Sequence, residues 1–442
     1  MCHVSIIIPT HNRSALLQVM LDSLNKQTYP FKKFEVVVVA DGCYDNTIDM
    51  LKSYRASFSL KILDQPGKGA AAARNHGVKA ANGNLLIFLD DDVEPTPNFI
   101  QAHIHAHANQ PEFVAIGYYP MVIKTHCSFL EKKSRLWWED KFREIACKGH
   151  LFRYTDILSG NLSLKKTLFK HVGGFDENIP FCGREDYEFG IRLIKLNVTF
   201  KFLPEAIGYH YEKPNLDRVC LRARQEGHAD IIISRRHPEM RSLYINHIKA
   251  PRNFLTRYLI SLMFRSPHVS DFLANMFRYA LHAMEAIKIR RSWYNLLDVI
   301  TTYWWFRGAI DELGSKSELK TFCNSAFTSK DHDEFEIEID LGKGLTTAEE
   351  QIDKIRPNSV RMMFGTQPVG YIKPLSGVER LRGVHLRPLL TKHYIWPLLR
   401  AIAMGNAMNH VSDVNQLFSN HHFSGNSMNM AKNVQSRDAN AN

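Results

Sequence analysis

Leu85-Leu86-Ile87-Phe88-Leu89-Asp90-Asp91-Asp92 runs from five apolar residues straight into three carboxylates. An apolar stretch this short and unbroken reads as a strand buried on both faces of a parallel sheet. Open α/β sheets bind ligands beyond the carboxyl ends of their strands, which is where the three acids stand. Packed like charges repel, so a site that keeps them ionised is expected to hold a cation. All-oxygen donors suit a hard divalent ion such as Mg²⁺ or Mn²⁺. The simplest reading is a metal site that receives a phosphorylated ligand; the competing one is a solvated acidic loop.

Outward from this run, residues 4–92 alternate apolar stretches with helical spacing. Val4–Ile8 reads as a strand, then the polar turn Pro9-Thr10-His11-Asn12-Arg13, then a helix marked by Leu16, Leu17, Met20, Leu21 and Leu24. The strand Phe34–Ala40 meets Asp41-Gly42. A short strand at Leu60–Leu63 meets Gly67-Lys68-Gly69 and an Ala-rich helix, Ala70–Ala81. Such alternation predicts right-handed βαβ units in a mostly parallel sheet, with the polar loops on one rim. Further strands are expected at 113–123 and from Ser159-Gly160 through Leu164. Glu185 and Asp186 fall in the first turn of a helix, where the macrodipole favours ionised carboxylates.

The remaining chain divides by composition. Residues 1–212 form the expected α/β domain, split at 112/113 into a nucleotide-side half and an acceptor-side half. A helical, basic extension follows over 213–313, a linker over 314–333, and a small β-containing appendage over 334–402. In the appendage Phe335–Leu341 alternates with strand period, and Gly365-Thr366-Gln367-Pro368 is a hairpin turn between two further strands. The tail, 403–442, is rich in Asn, Ser, His and Met and is expected to be disordered.

With 45% hydrophobic and 23% charged residues, the composition is that of an ordinary globular protein. Seven scattered cysteines, with no CxxC pair, argue for reduced thiols in a cytoplasmic setting and against a disulfide framework or a zinc ribbon. No signal peptide is read before the first strand, and no apolar run reaches the roughly 18 residues of a spanning helix. The net charge of +11 is uneven: residues 213–330 hold 19 Lys/Arg against 10 Asp/Glu, together with Trp293, Trp304 and Trp305. Basic, aromatic helices can lie on the inner face of an anionic membrane; equally, such residues can simply face water. No nucleic-acid motif accompanies the charge, and no nucleic-acid partner is expected.

Taken in order, Pro9-Thr10, Asp41-Gly42, Gly67-Lys68-Gly69 with Arg74-Asn75, Asp90-Asp91-Asp92, Gly173-Gly174-Phe175-Asp176, Glu185-Asp186 and His210 resemble the family-2 glycosyltransferases. These are inverting enzymes with the GT-A fold, a Rossmann-like α/β sheet. The resemblance covers roughly residues 4–240, and its specificity lies in the order of the motifs.

Residue by residue, the resemblance implies a nucleotide-sugar site. Thr10 and the backbone at Pro9 would hold base and ribose, and Lys68 belongs to the same donor site. Asp41 would accept a hydrogen bond from the base ring, or is a turn-forming Asp before Gly. Arg74 would lie near the diphosphate or order the Asp triplet, unless it is an exposed helix residue. Asp92 aligns with the metal ligand for Mn²⁺ or Mg²⁺, and Asp90 and Asp91 would contact the ribose or metal-bound water. His210 is a further metal or phosphate ligand, or a hydrogen-bonded core residue. Asp186 is the expected general base and Glu185 the residue that orients acceptor or sugar, against a role in capping alone. Arg184 departs from the residue usual beside this pair, which points to unusual acceptor recognition. His103 and His107 stand one helical turn apart without a third ligand and read as a surface helix.

Downstream, Arg222–Gly227 with Arg236–Glu239, and Trp305-Phe306-Arg307-Gly308, resemble segments that follow the catalytic domain in some family members, and suggest a lid or membrane-apposed region. The implied activity is transfer of a sugar from a nucleotide-sugar donor to a glycan or lipid-linked hydroxyl, by single displacement with a divalent metal and a carboxylate base. Two other classes are weighed. A sugar-nucleotide pyrophosphorylase would carry a Gly-rich basic loop after the first strand, where this chain has Pro-Thr-His-Asn-Arg. A non-catalytic glycan-binding scaffold finds encouragement only in the appendage.

Overall fold

A computed structural model describes residues 3–108, 112–122, 127–179, 183–325 and 335–419. It divides into two units, Met1–Glu334 with Pro374–Leu381, and Phe335–Lys373 with Arg382–Asn442.

The first unit opens as the sequence predicts. In chain order come β1 (Val4–Thr10), α1 (Ser14–Leu24), β2 (Phe34–Asp41), α2 (Thr47–Ser53), β3 (Ser59–Gln65), α3 (Ala70–Ala80) and β4 (Leu85–Leu89). Then follow β5 (Val93–Pro95), α4 (Phe99–His107), β6 (Phe113–Tyr118), α5 (Phe129–Ile145), β7 (Asn161–Lys165), α6 (Lys166–Val172), α7 (Glu185–Lys195) and β8 (Thr199–His210). Eight strands form one sheet in the order β3-β2-β1-β4-β7-β6-β8-β5. Strands β1 to β4 pair in parallel, but β7 runs antiparallel to both β4 and β6. The sheet is therefore mixed, more so than the mostly parallel one expected.

The five apolar residues of β4 are all buried, and their alternation divides them between two cores. Leu86 and Phe88 join Ile7, Val37 and Val39 on one face. Leu85, Ile87 and Leu89 join Ile6, Ile8, Val36 and Val38 on the other. Side chains alternate across a strand, so a continuous apolar run is what a strand covered on both faces requires.

Beyond β8 the chain is helical: α8 (Leu216–Arg236), α9 (Arg241–Lys249), α10 (Phe254–Arg265), α11 (Pro267–Ala286), α12 (Arg290–Leu313) and α13 (Lys316–Asn324). Helix α13 occupies the stretch expected to be a linker. Ser315 caps it by accepting the Glu318 N–H, and Phe322 buries its apolar side. The two downstream segments singled out in the sequence prove to be the two sides of one helix crossing. A Cβ on Gly227 of α8 would land on the backbone oxygen of Trp305, and one on Gly308 of α12 on that of Arg224. Backbone faces backbone here, so no side-chain rotation relieves an added methyl. Gly308→Ala is expected to lower unfolding stability by about 3 kcal/mol or more in urea titration. At an ordinary helix position the same change would raise it by about 1 kcal/mol, so a stabilised variant would overturn the close-packing account.

Residues 374–381 return to the first unit after the chain has left it. Gly377 O accepts the Tyr154 N–H (2.8 Å), the Glu379 N–H donates to Phe152 O (2.9 Å), and the Glu379 carboxylate accepts the Phe152 N–H (3.1 Å). Gly377 lies against Met240 and Tyr154 with no room for a side chain.

The second unit comprises β9 (Glu336–Asp340), α14 (Leu345–Ile355), β10 (Ser359–Phe364), β11 (Gln367–Ile372), α15 (Gly383–Leu389) and α16 (Ile395–Ser419). Its three strands lie in the order β11-β10-β9, with the expected hairpin antiparallel and β9 parallel to β10 across α14. Helix α16 runs through the first part of the segment expected to be disordered; 420–442 lie outside the described residues.

Candidate active site

The three acids after β4 are bent into a tight turn. Asp90 N–H donates to Gly160 O (3.2 Å), Val93 N–H to Asp90 O (3.1 Å), and Tyr211 N–H to Asp92 O (2.9 Å). The register of β5 against β8 puts Val93 opposite His210, which brings the imidazole Nε2 to 3.5 Å from Asp92 Oδ1. His210 is buried against Tyr119 and Trp138, and its Nδ1 has no hydrogen-bond partner among the described residues.

The acids are held from two sides by arginines. Arg13 Nη1 donates to Asp91 Oδ1 (2.8 Å) and Asp92 Oδ2 (2.7 Å), and the Thr10 hydroxyl donates to Asp91 Oδ2 (2.8 Å). Arg74, buried at 3% exposure, donates to Asp90 Oδ1 and to Glu185 Oε1, each at 2.8 Å. One guanidinium thus fastens the loop after β4 to the first turn of α7, where Glu185 stands 111 residues beyond Arg74. The alternative of an exposed helix residue is excluded for Arg74.

Burial pushes the Asp91 carboxyl up to about 6, with Asp92 adding to the rise and Arg13 opposing it. Burial acts the same way on Asp92, but His210 and Arg13 outweigh it and hold that carboxyl below its ordinary value. His210 is correspondingly raised: burial disfavours its charged form, and the bond to Asp92 more than offsets this.

Helix α7 brings the second acidic pair. Glu185 is saturated: besides Arg74 it accepts the N–H groups of Gly183 (2.6 Å) and Arg184 (3.0 Å). Asp186 Oδ1 accepts its neighbour's N–H, that of Tyr187 (2.8 Å), and no side chain bonds it among the described residues. The helix N-terminus was expected to favour its ionised form. Instead, burial pushes the Asp186 carboxyl up to about 7, with Glu185 adding to the rise against Arg74 and Arg222. Desolvation outweighs the macrodipole here.

The other positions named from the sequence fall as follows. Asp41 is buried, and its two oxygens accept the Lys68 N–H, the Gly69 N–H and Gln65 Nε2, each at 2.8 Å. It therefore fastens the Gly67-Lys68-Gly69 loop, while the Lys68 side chain is exposed and Pro9 half-buried at the end of β1. Arg184 does not face the acids. It turns into the helical layer, to Asp230 (2.7 Å) and Glu226 (3.3 Å), and Asp230 also accepts the Trp305 indole N–H (2.8 Å). The side chain read from the sequence as standing beside the acidic pair is thus tied to α8. His103 and His107 are not on a surface helix either. Both are buried and share the Ser163 hydroxyl (2.8 and 2.9 Å), and His103 also meets Asn161 (3.0 Å). Burial lowers their pKa values to about 3 and about 4.

Arg13 is the site residue that sequence reasoning passed over, treating it as part of a polar turn. Its signal is topological: β1 lies beside β4, so a long cation just past β1 must meet whatever follows β4.

Against known proteins, residues 5–171 match the model of glycosyl transferase family 2, and residues 142–214 that of the N-terminal domain of galactosyltransferase. A validoxylamine A glucosyltransferase of Streptomyces hygroscopicus subsp. jinggangensis is 34% identical over 215 residues, 43% of this chain and 51% of that protein. The chondroitin synthase of Escherichia coli is 28% identical over 252 residues, 50% of this chain and 36% of that protein. The chain thus spans less than two thirds of the length of these relatives. Among solved structures, a Pyrobaculum calidifontis mannosyltransferase in complex with GDP-Man and Mn²⁺ aligns with a TM-score of 0.44 at 15% identity, over 70% of this chain and 88% of that one.

Proposed function

We propose, on the premise that this chain belongs to glycosyltransferase family 2 through residues 5–171, that it transfers a sugar from a nucleotide-sugar donor to an acceptor hydroxyl with inversion. The observation that carries this reading is the joining, through Arg74, of an acid cluster suited to a metal–diphosphate with a second, separately carried acidic pair. One cluster serves the leaving group, and Asp186 of the other is the base that takes the acceptor proton. Its carboxyl, pushed up to about 7, is matched to that task near neutral pH. Glu185, saturated by Arg74 and two backbone N–H groups, fixes the first turn of α7 and with it the direction of Asp186.

The residues present fit a divalent ion. Asp92 supplies a carboxylate and His210 an imidazole beside it, with the His210 ring nitrogen that faces away from Asp92 left unpaired among the described residues. Among those residues no group of three or more ligating side chains gathers. That suits an ion held by one or two protein ligands and completed by phosphate oxygens and water. Such an ion supplies charge stabilisation to the departing nucleoside diphosphate. Thr10 and Arg13 hold Asp91 and Asp92 in place for it, and Pro9, Asp41 and Lys68 shape the donor side.

The acceptor class is a glycan or a lipid-linked glycan at a peripheral position on the cytoplasmic face of a membrane. The pyrophosphorylase alternative loses ground at Arg13: the one arginine of the loop after β1 is engaged by carboxylates.

The test is a panel of nucleotide sugars assayed for nucleoside diphosphate release and for binding by calorimetry, with Mn²⁺, Mg²⁺ or chelator. Turnover of one donor is expected only with metal, and Asp92→Ala is expected to lower it by about 100-fold or more. If no donor binds in the presence of metal, the transferase reading fails.

A further inference from the structure

We propose that helices α10 and α11 form a surface that docks, in the plane of the interface, on a membrane rich in anionic phospholipid. This inference deepens the peripheral membrane position proposed above by naming the surface and the lipid, and its test does not depend on sugar transfer.

Helix α11 is apolar on two sides. Ser270, Ala274 and Leu281 face the core, as a surface helix requires. A second stripe, Val269, Phe272, Met276 and Tyr279, repeats at three- and four-residue spacing on the opposite side and is open to solvent, with Phe272 61% and Tyr279 68% exposed. Ile287 and Ile289 extend it beyond the helix end, and on α10 Phe254 and Tyr258 stack at 6.5 Å, both exposed. Single exposed apolar residues are ordinary, but a periodic stripe along a helix of about 30 Å marks a surface with an occupant.

The charge around the stripe identifies the occupant. Residues 254–291 hold six Lys/Arg and two acids, and both acids are turned to other parts of the first unit. Asp271 pairs with Tyr303 and Arg307, and Glu285 accepts the Phe129 N–H (2.7 Å). Arg257, Arg265, Lys288, Arg290 and Arg291 are exposed at the rim. Arg278 is paired with the exposed Asp217 of α8, and the other five cations are left to frame aromatic and aliphatic side chains, an arrangement that complements acyl chains beneath phosphate headgroups. Among the described residues no helix is long and apolar enough to cross a membrane, so the contact is one of lying on the surface.

The experiment is co-sedimentation of the full chain with vesicles of phosphatidylcholine alone or mixed with phosphatidylglycerol, at low and high salt. Two double variants accompany it, Phe272→Ser with Tyr279→Ser and Arg290→Glu with Arg291→Glu, each checked by circular dichroism and melting for an intact fold. The wild type is expected to bind only the anionic vesicles, less at high salt, and each variant to bind about tenfold less or weaker still. Absence of binding at low salt overturns the proposal, as does binding that both intact variants retain. Concentration-dependent self-association that Phe272→Ser with Tyr279→Ser abolishes would assign the face to a second copy of the chain and overturn it too.

Discussion

Asp186→Asn is expected to lower kcat by about 10²–10⁴-fold with donor affinity nearly unchanged. The substitution keeps the shape of the side chain and its bond from the Tyr187 N–H, and removes only the capacity to take a proton. Because burial, with Glu185 in support, pushes the carboxyl up to about 7, wild-type kcat should climb with pH through that value and then level, while the variant shows no such limb. The same shift has a stability consequence of fixed sign. A carboxyl raised in the folded state binds more protons there than in the unfolded chain, so its contribution is full below its ordinary pKa and is lost as pH rises through about 7. Asp186→Asn should therefore melt higher than wild type at pH 8, by a margin that shrinks at pH 5. A pH–rate profile, donor calorimetry and melting at the two pH values check all three, and an unchanged kcat would remove Asp186 from the reaction.

Arg74→Ala carries the largest structural effect. It would leave Glu185, 2% exposed, without its guanidinium partner and release Asp90 from its tether. Removing one partner of a buried pair costs about 3–5 kcal/mol, read here from urea unfolding. Turnover at saturating donor should fall by at least about tenfold, since about 1.4 kcal/mol of lost positioning already gives that factor. Arg74→Lys keeps the charge but cannot fork between two carboxylates, so it is expected to restore part of the stability and less of the rate. A variant with wild-type stability would show that Glu185 finds its support elsewhere.

Much of this was legible in the sequence wherever one strand or one loop carries its own signal. The run 85–92 could be read alone because burial on both faces leaves an unbroken apolar string, and the acids follow at once. The hairpin around Gly365 was equally local. What escaped depends on contacts between distant segments. The antiparallel sense of β7 is fixed by its neighbours β4 and β6, not by its own residues. His103 and His107 look like a polar helix face until Asn161 and Ser163, some 60 residues later, meet them as buried partners. Arg184 reads as a site residue because it precedes Glu185, yet Asp230 on α8 draws it away. Arg13 reads as turn composition until β1 is laid beside β4. Polar residues thus declared their type but not their direction, because a hydrogen-bond partner contributed by another segment leaves no local pattern.

The return of residues 374–381 makes the two units inseparable by a single cut. A chain ended at Glu334 would keep every described helix and strand of the first unit yet lose Gly377 and Glu379, and with them the partners of the backbone at Phe152 and Tyr154. Those two residues lead into the short turn Tyr154–Asp156, and the Tyr154 carbonyl oxygen and Ile157 at its two ends pack against Gly190 of α7. Autonomy of the first unit therefore has to be sought by excising 335–373 and 382–442 and splicing the eight-residue ribbon between them back on, not by truncation.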